Sequence, residues 1–562
     1  MTNAMRPYVI GLNRIWGFLL PTSLKHRVLL LLVVAVAMAV RLPPITEGLP
    51  NDELSTGYYR SIYSMWIDEA EPLFAVYNLH PARLDFDPDI YLTGTLQVYL
   101  YALGLQAAAF VGAVDLVSDK DYYRENPSRI APLYIVGRAI TFIFGVGTVF
   151  AVFLLSRQLY ASDGVGILSA LFLALLPTHV LYSFVLKSDG ISVFFVVMTA
   201  VFSTGILKSG GWRWYVLAGL SAGLAASAKA TGASAVIFVA LAHVLRIHSE
   251  LYPTGHLNGQ GLFQRLVHSI RASMARRKIF LAAIVAIGGM FIGFPYLFLA
   301  PGDVAAYFYA DPGGRAIHGF NLNESGTWIP HLFNMVTNMG PLILTLSLLG
   351  VVLMLLRRNP TDLLLGLWAV TFFVLLGFTQ TGGMDRATLP LSPILAIAAA
   401  QVCMWTYQKV RHRSSAARIA AVAALSLVVI YNLGLTWSYV EVMADEDVRF
   451  KATRWITQNV VPGSSIGYDS AGIYAWHSPE STYTVEPDQP EGMSLSKYDV
   501  ILVTSPLERY ADNLAIHLEN SSRLTPLRLG RVLEGWEAWY TWDIYIYTRT
   551  PMGSAGVQLP TR

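Results

Sequence analysis

The sequence predicts a polytopic α-helical membrane protein that carries a small α/β domain at its C-terminal end. Of its 562 residues, 54% are hydrophobic and 14% are charged, whereas soluble domains carry about 25% charged residues. Several apolar stretches of roughly 18 residues or more are long enough to cross a bilayer as helices. The net charge of +3 is small, and its distribution along the chain is more informative than its sum.

Eleven membrane-spanning helices are predicted from the apolar stretches. The first, Val28–Val40, follows Lys25 and Arg27 as a signal peptide would, but no small-residue cleavage pattern follows it. We therefore interpret it as an uncleaved span. The other ten are Leu133–Leu155, Val165–Leu181, Ile191–Leu207, Trp214–Ala228, Thr231–Leu245, Ile279–Leu297, Met339–Leu356, Leu363–Phe378, Leu389–Tyr407 and Ile419–Leu435.

One further apolar stretch, Ile90–Val114, is long enough to span, and the charges of the loops decide against it. If it does not cross, the basic loop from Arg246 to Lys278 lies on the cytoplasmic side with the basic N-terminus, as the positive-inside rule requires. If it crosses, that loop and the other basic loops lie outside. We therefore expect an interfacial helix over residues 90–114, inside a long first outer loop of residues 41–128.

The last part of the chain has a different pattern. A stretch with helical spacing, Asp447–Val461, stops at Pro462-Gly463 and is followed by short strands with turn signals between them. The sequence thus divides into a transmembrane domain of residues 1–437 and an extracytoplasmic α/β domain of residues 438–562, in a multi-pass protein of the plasma membrane. The predicted strands are Ser465–Tyr468, Val500–Thr504 and Ile544–Tyr547.

Two features exclude whole classes of function. Cys403 is the single cysteine, so the chain has neither an intrachain disulfide nor a cysteine-based metal site. The sequence contains no P-loop and no dinucleotide-binding fingerprint, which argues against an ATP-driven pump. We expect no cofactor and no nucleic-acid partner.

Carboxylates near the membrane are the first candidates for chemistry, because ionisable residues there are costly. The pair Asp68-Glu69 follows Met65-Trp66-Ile67 in the first outer loop, and an apolar approach to a carboxylate suits a partly desolvated general base. The alternative is an acidic pair at a helix N-terminus. Asp189 precedes the span Ile191–Leu207 at its outer end and is a third catalytic candidate.

Three cations are predicted at the same side of the membrane. Arg138, Lys229 and Arg386 lie at the outer ends of spans or in the turns between them. Because desolvated, charge-assisted contacts to phosphate are strong, such a set can bind a lipid phosphate or pyrophosphate. The alternative is that Arg138 and Lys229 extend to ordinary lipid head groups.

Two further sets of polar residues have both a functional and a plain interpretation. Asp85, Asp87 and Asp89 alternate before the interfacial helix, where they either hold a divalent cation through oxygen ligands or cap the helix as solvated charges. His318 and Glu324 lie in a second outer loop of residues 300–338. That loop either closes over a site and contacts the acceptor, or it is an ordinary surface loop.

The order of several motifs along the chain indicates a family. After the acidic pair come Gly137-Arg138-Ala139, Leu175-Leu176-Pro177-Thr178-His179, Lys229-Ala230-Thr231-Gly232 and Leu389-Pro390-Leu391-Ser392-Pro393. This order resembles the GT-C superfamily of membrane glycosyltransferases, on the side of the protein O-mannosyltransferases and aminoarabinose transferases, over roughly residues 28–407. Two departures, the longer loop at residues 47–63 and the acidic alternation in place of a Pro-rich entry, concern the acceptor more than the reaction.

The resemblance implies a polyprenyl-phosphate-linked sugar donor and an inverting displacement at the anomeric carbon of the sugar. The family's catalytic carboxylate matches Asp68, with Glu69 beside it, and its second outer acidic residue matches Asp189. Its phosphate-contacting lysine matches Lys229, and its arginines match the other two cations named above. The sugar and the acceptor, which is a protein, a lipid or a polysaccharide, are left open.

Two other functions remain as alternatives. A transporter or flippase of lipid-linked sugars explains cations near the membrane surface, but it predicts paired broken helices and an inverted repeat, which the sequence does not have. A non-catalytic membrane scaffold with a partner-binding tail explains the C-terminal domain. It gives no role to the outer carboxylates and to Lys229.

Overall fold

The described part of the chain is mostly helical, and its five C-terminal strands form one sheet. The structure, a computed structural model, describes residues 20–21, 23–52, 62–91, 94–253, 262–309, 326–379, 385–469, 482–488, 497–503, 522–523 and 545–548.

The helices are numbered here in chain order. They are α1 (Leu24–Ala39), α2 (Ala70–Tyr77), α3 (Leu96–Phe110), α4 (Lys120–Glu125), α5 (Ala131–Tyr160), α6 (Asp163–Ala174), α7 (Pro177–Leu181), α8 (Ser188–Ser209), α9 (Trp212–Ala228), α10 (Ala235–Leu251), α11 (Leu262–Met274), α12 (Arg277–Gly293), α13 (Tyr296–Leu299), α14 (Pro301–Tyr309), α15 (Trp328–Met339), α16 (Pro341–Arg357), α17 (Pro360–Leu376), α18 (Ser392–Val410), α19 (Ser415–Met443) and α20 (Val448–Asn459). Short 3-10 helices cover Pro43–Thr46, Ile67–Glu69, Pro81–Arg83, Pro127–Arg129, Ala230–Ser234 and Asp385–Leu391.

Local sequence explains where several helices begin and end. The side chains of Ser23, Ser162 and Asn359 each accept a hydrogen bond from a backbone amide of the first turn of α1, α6 and α17. Such caps satisfy amides that have no partner inside the helix. α8 ends at Ser209 and is followed by Gly210, whose φ of 61° is the left-handed conformation that glycine adopts without strain.

Six helical segments of the described residues are long and apolar enough to cross a membrane. α3, α6, α16 and α17 are shorter apolar helices, and of these α6, α16 and α17 lie in predicted spans. α9 and α12, which likewise lie in predicted spans, have 17 residues each. The chain is therefore a membrane protein, while the count of eleven spans and their orientation stay predictions. The six segments are Leu24–Thr46, Pro127–Tyr160, Ser188–Ser209, Ala230–Leu251, Arg386–Val410 and Ser415–Met443.

The stretch for which an interfacial position was predicted forms a short helix. α3 has 15 residues, which corresponds to a length of about 22 Å at the usual rise per residue. The hydrocarbon core of a bilayer is about 30 Å thick. The length of α3 is consistent with the predicted position, which stays a prediction.

The predicted span Val165–Leu181 is not one continuous helix. α6 ends at Ala174, and α7 begins only at Pro177 after two non-helical residues. Proline has no amide hydrogen and restricts the residue before it to an extended conformation. Leu176 accordingly has φ −93° and ψ 118°, so the sequence signal for the break was present in Pro177.

α9 and α12 approach each other backbone to backbone. A Cβ atom on Gly219 would lie 2.4 Å from the carbonyl oxygen of Ala282, and one on Gly223 would lie 2.1 Å from that of Ala286. Gly289 of α12 faces α9 in the same way. Small residues four positions apart allow this close packing of membrane helices, and larger side chains do not fit here.

The C-terminal strands form one mixed sheet in the order β2-β1-β3-β5-β4. β1 pairs in parallel with β2 and β3, and β5 pairs antiparallel with β3 and β4. Ala452 and Ile456 of α20 form a buried core with Ile466, Val500 and Leu502 of the sheet. The strands are β1 (Ser465–Asp469), β2 (Thr484–Asp488), β3 (Val500–Val503), β4 (Ser522–Arg523) and β5 (Tyr545–Thr548).

The chain divides into two compact units. The first comprises Met1–Leu42, Pro72–Gly104 and Arg138–Trp437, and the second comprises Pro43–Glu71, Leu105–Gly137 and Ser438–Arg562. The second unit therefore combines the C-terminal residues with two segments from the early part of the chain.

Candidate active site

A buried ion pair joins the start of α8 to the residue that follows α9. Asp189, the second residue of α8, accepts a hydrogen bond from the Nζ of Lys229. The side chain of Asp189 is 6% exposed and that of Lys229 is 21% exposed. Both were predicted as site residues, although not as partners. Pairing is what allows two charges to remain ionised in a buried position.

Two more cations act on this pair. Arg386, in the 3-10 helix Asp385–Leu391, and Lys187, immediately before α8, both lie close enough to interact electrostatically with Asp189 and Lys229. These four residues are called the Asp189 cluster below. Its three cations and one carboxylate sum to a formal charge of +2. Such a cluster is suited to a doubly charged group such as a phosphate.

The pKa of Lys229 reflects its burial first and its charged neighbours second. Burial lowers the pKa of Lys229, Asp189 opposes that change, and Arg386 adds to it. Burial is thus the main cause that destabilises the ammonium group, and the repulsion from Arg386 and Lys187 adds to it. A bound anion would relieve this repulsion.

Two other segments hold the backbone just before Lys229. A Cβ atom on Gly94, which has φ 71°, would lie 2.3 Å from the carbonyl oxygen of Ser227, and one on Gly293 would lie 2.0 Å from the Oγ of Ser227. The hydroxyl of Thr95 donates a hydrogen bond to the carbonyl of Gly293 at 2.7 Å. The start of α3, the end of α9 and the end of α12 therefore meet here, and together they position Lys229.

The acidic pair lies in a tight turn before α2. Asp68 and Glu69 are the last two residues of the 3-10 helix Ile67–Glu69. Glu69 is fully buried and accepts a hydrogen bond from the Oγ of Ser64 at 2.6 Å, whereas Asp68 is partly exposed. Ser64 also accepts a hydrogen bond from the amide of Trp66 at 3.2 Å. Ser64, which the sequence did not single out, thus fixes Glu69, and Asp68 is the carboxylate more open to a substrate.

Residues of α20 support this turn within the same compact unit. Arg449 donates from Nη2 to the carbonyl of Met65 at 2.9 Å and forms an ion pair of 2.7 Å with Asp447. Phe450 packs against the side chain of Met65. The amide of Met65 in turn donates to the carbonyl of Gly48 at 2.7 Å. The C-terminal residues therefore help to hold the segment that leads into Asp68.

A pocket of about 320 Å³ lies beside this support, also within the second unit. Residues 46–51, Ala131, Ile135 and residues 446, 447 and 450 line it. Its volume is at the lower end of the range of about 300–1,000 Å³ for small-molecule sites. Phe450 lines the pocket and also packs on Met65, three positions before Asp68. The pocket and the acidic turn therefore share Phe450 as a common contact.

One part of the chain matches the model of a known family. Residues 134–255 match the family model described as dolichyl-phosphate-mannose-protein mannosyltransferase. The resemblance to the GT-C glycosyltransferases is confirmed. The matched range includes three predicted site residues, Arg138, Asp189 and Lys229. Asp68 and Arg386 lie outside it. Comparison with curated proteins finds no match.

Several solved membrane glycosyltransferases are similar to the chain at low identity. ArnT from Cupriavidus metallidurans in the apo state has a TM-score of 0.45 and 12% identity, over 92% of this chain and 97% of that one. The same protein bound to undecaprenyl phosphate has a TM-score of 0.42 and 13% identity, over 92% and 98%. The oligosaccharyltransferase of Archaeoglobus fulgidus, in complex with Zn and sulfate, has a TM-score of 0.44 and 14% identity, over 85% and 68%.

Arg138, in the Gly-Arg-Ala stretch of the GT-C resemblance, lies on α5. Its side chain is fully buried and takes part in polar or electrostatic contacts. A buried guanidinium needs such contacts to remain charged in the interior. Its role at a lipid phosphate stays a prediction.

The acidic alternation of Asp85, Asp87 and Asp89 shapes a loop through hydrogen bonds to its own backbone. Asp85 accepts a hydrogen bond from the amide of Asp87, which in turn accepts one from the amide of Asp89, both at 3.1 Å. Asp87 also accepts from the hydroxyl of Tyr91. Partial burial and the neighbouring carboxylates raise the pKa of Asp89. Within the described ranges, no group of three or more His, Cys, Asp or Glu side chains is arranged to hold a metal ion.

Two predicted site residues of the second outer loop cannot be placed. His318 and Glu324 lie outside the described residues, so their predicted lid role stays a prediction.

Arg41 is fully buried just after the end of α1 and donates to the carbonyl of Ala174 at 3.2 Å, with its Nη2 2.9 Å from the Nδ1 of His179. Arg41 thereby satisfies a carbonyl at the end of α6. In the sequence, Arg41 is only a basic residue at the end of an apolar stretch, which does not predict this contact.

Proposed function

We propose that the chain is an inverting glycosyltransferase that moves a monosaccharide from a polyprenyl-phosphate carrier to an acceptor hydroxyl. The reaction takes place at the extracytoplasmic face of the plasma membrane and needs no cofactor. The observation that carries the proposal is the Asp189 cluster, in which a buried carboxylate and three partly buried cations give a positive excess in a membrane protein. The match of residues 134–255 to a family of lipid-phosphate-dependent mannosyltransferases supports the class of donor.

The phosphate of the donor is the leaving group of this reaction. As the bond between the anomeric carbon and the phosphate oxygen breaks, its electron pair passes to that oxygen, and negative charge develops there. Lys229 and Arg386, with Arg138 as a further candidate, stabilise that charge. Preorganised charged donors in a water-poor site act more strongly than in water, and one such donor contributes about 3–4 kcal/mol to the transition state.

The acceptor hydroxyl attacks the anomeric carbon from the side opposite the phosphate, which inverts the configuration. A hydroxyl is a poor nucleophile, so a carboxylate within hydrogen-bonding reach takes its proton as the new bond forms. Asp68 suits this role better than Glu69, because Asp68 is partly exposed whereas Glu69 is fully buried and bonded to Ser64. The products are the glycosylated acceptor and the free lipid phosphate.

The decisive experiment is single-turnover transfer from a polyprenyl-phosphate monosaccharide, with Asp68→Asn compared with the native protein. The substitution keeps the shape of the side chain but removes its ability to accept the proton. Loss of general-base catalysis lowers the rate by about 100- to 10,000-fold, while binding of the donor lipid stays within about twofold. Glu69→Gln is the matched control and should be milder, since a glutamine oxygen can still accept the hydrogen bond from Ser64.

The same assay separates the alternatives. A flippase moves the lipid-linked sugar across a vesicle membrane without breaking the bond to phosphate, and a scaffold does neither. Absence of transfer by the native protein with several donor sugars and acceptors, together with unimpaired donor binding, would reject the proposed reaction. An unchanged rate in Asp68→Asn would instead reject only Asp68, and Asp189 would become the candidate base.

A further inference from the structure

The helix α11 (Leu262–Met274) has its faces arranged opposite to those of a helix on a soluble protein. Leu266, Ile270 and Met274 are 46%, 43% and 68% exposed, whereas Ser269 and Ser273 are buried. Four residues turn a helix by only about 40° beyond a full circle, so the three apolar residues form one continuous stripe. A surface helix normally buries its apolar face and exposes its polar one.

Polar contacts with α10 fix this orientation. The ring of His243 donates from Nε2 to the carbonyl of Ser273 at 3.1 Å, and its Nδ1 accepts from the hydroxyl of Tyr215 at 2.6 Å. The Nδ1 of His248 lies 2.9 Å from the Oγ of Ser269. Rotating α11 to bury its apolar stripe would break the two contacts that His243 and His248 make to Ser273 and Ser269, so the stripe is held outward.

The position of α11 in the chain places it at the ends of membrane helices. α10 belongs to the candidate span Ala230–Leu251, and α12, predicted as the next span, starts at Arg277, three positions after α11 ends. The Nζ of Lys278 donates to the carbonyl of Gly210, which follows α8, at 2.7 Å. In a bilayer, an apolar stripe held outward at this level would face the boundary between lipid head groups and acyl chains.

The charges around α11 indicate which kind of membrane surface it can bind. Residues 262–278 contain no acidic residue. Arg271 is exposed and lies one residue, or about 100° of rotation, beyond the middle of the apolar stripe. The basic residues of this stretch are Arg265, Arg271, Arg276, Arg277 and Lys278.

We propose that α11 is an amphipathic interfacial helix that binds anionic lipids of the leaflet next to it. Its apolar stripe inserts between the acyl chains, and the arginines beside the stripe contact the negatively charged head groups. A zwitterionic lipid satisfies the stripe but not the arginines. The proposal is independent of the sugar-transfer reaction.

Insertion of the stripe is tested in the full-length protein with Cys403→Ala. Ile270→Cys and, as the matched control on the polar side of α11, Gln264→Cys each receive a fluorophore. The proteins are placed in vesicles of phosphatidylcholine and phosphatidylglycerol that contain acyl-chain nitroxides. We expect the label at residue 270 to be quenched several-fold more than the label at residue 264. A label at residue 270 that is shielded from aqueous iodide yet unquenched by the nitroxide lipid would show a protein partner or a second copy there, and would overturn the proposal.

Selectivity for anionic lipid is tested with Arg271→Gln/Arg277→Gln. The measurement is the ratio of phosphatidylglycerol to phosphatidylcholine retained by the purified protein. Each basic residue near an anionic membrane contributes about fivefold, so the double variant should lower the preference by about 25-fold. Arg411→Gln/Arg413→Gln, in a different basic loop, is the control and should lower it far less. Equal loss in the two variants, or no loss in the first, would overturn the assignment of lipid selectivity to α11.

Discussion

Replacing Lys229 with methionine separates a structural ion pair from a binding site for phosphate. Methionine has a similar length and removes the ammonium group. Asp189 then remains in a position where its side chain is only 6% exposed. The substitution therefore has two consequences, one for stability and one for the donor, and their sizes differ.

The stability cost follows from the burial of the pair. Removing one partner of a buried ion pair costs about 3–5 kcal/mol. The lower end applies here, because Arg386 and Lys187 still act on Asp189. Loss of one charge-assisted hydrogen bond to the donor phosphate costs about 1.5–3 kcal/mol, which corresponds to a loss of affinity of roughly 10- to 150-fold.

A double variant, Asp189→Asn/Lys229→Met, distinguishes the two consequences. It removes one positive and one negative charge together, so no carboxylate is left buried beside the missing ammonium. We expect thermal stability to recover by at least half of the loss seen in Lys229→Met. Donor affinity should not recover, because the ammonium group that contacts the phosphate is still absent.

The assays are thermal unfolding in detergent and equilibrium binding of a polyprenyl-phosphate sugar. Binding is used in place of turnover because Asp189 is itself a candidate for catalysis. Recovery of both stability and donor affinity in the double variant would refute the argument. Lys229 would then be only the structural partner of Asp189, and the phosphate would bind elsewhere.

Three further predictions concern orientation, metal and backbone space. In the Cys403→Ala background, Thr482→Cys should react with an impermeant thiol reagent in intact cells, and reaction only after permeabilisation would reverse the predicted topology. EDTA should leave sugar transfer unchanged, because the loop carboxylates bond to backbone amides; inactivation that a divalent metal reverses would contradict this. Gly94→Ala should weaken donor binding, and it should lower the free energy of unfolding by about 1–3 kcal/mol more than the control Gly112→Ala. Both glycines have positive φ, but only Gly94 has atoms within 4 Å of the added Cβ. Equal effects of the two variants on donor binding and thermal unfolding would refute this prediction.

Hydrophobicity in the sequence was sufficient to predict most of the helices, because a bilayer demands long apolar segments whatever their partners are. It was not sufficient at Pro177, where the composition of the segment is apolar throughout but the backbone cannot continue as a helix. It also missed β2, because the Pro in Thr484–Asp488 is atypical of a strand. The tertiary fold pairs β2 with the edge of β1.

The candidate site was predictable in its members but not in its contacts. The sequence places Asp189 and Lys229 at the ends of helices, yet they are 40 positions apart, and only the packing of α8 on the end of α9 makes them partners. Lys187 lies two positions before Asp189 in the sequence, but no sequence pattern distinguishes it from an ordinary surface lysine. Ser64 acts through a single hydrogen bond to Glu69, which no periodicity or motif reports.

The glycine contact between α9 and α12 limits how this protein can move. Where side chains interdigitate, two helices can slide or roll by exchanging rotamers. Here the carbonyl oxygens of Ala282 and Ala286 occupy the space that side chains on Gly219 and Gly223 would fill. A shift by one helical turn, about 5.4 Å, would bring bulkier residues against those carbonyls. We therefore expect α9 and α12 to move together, and a rearrangement that admits or releases a large ligand to involve other contacts between the helices.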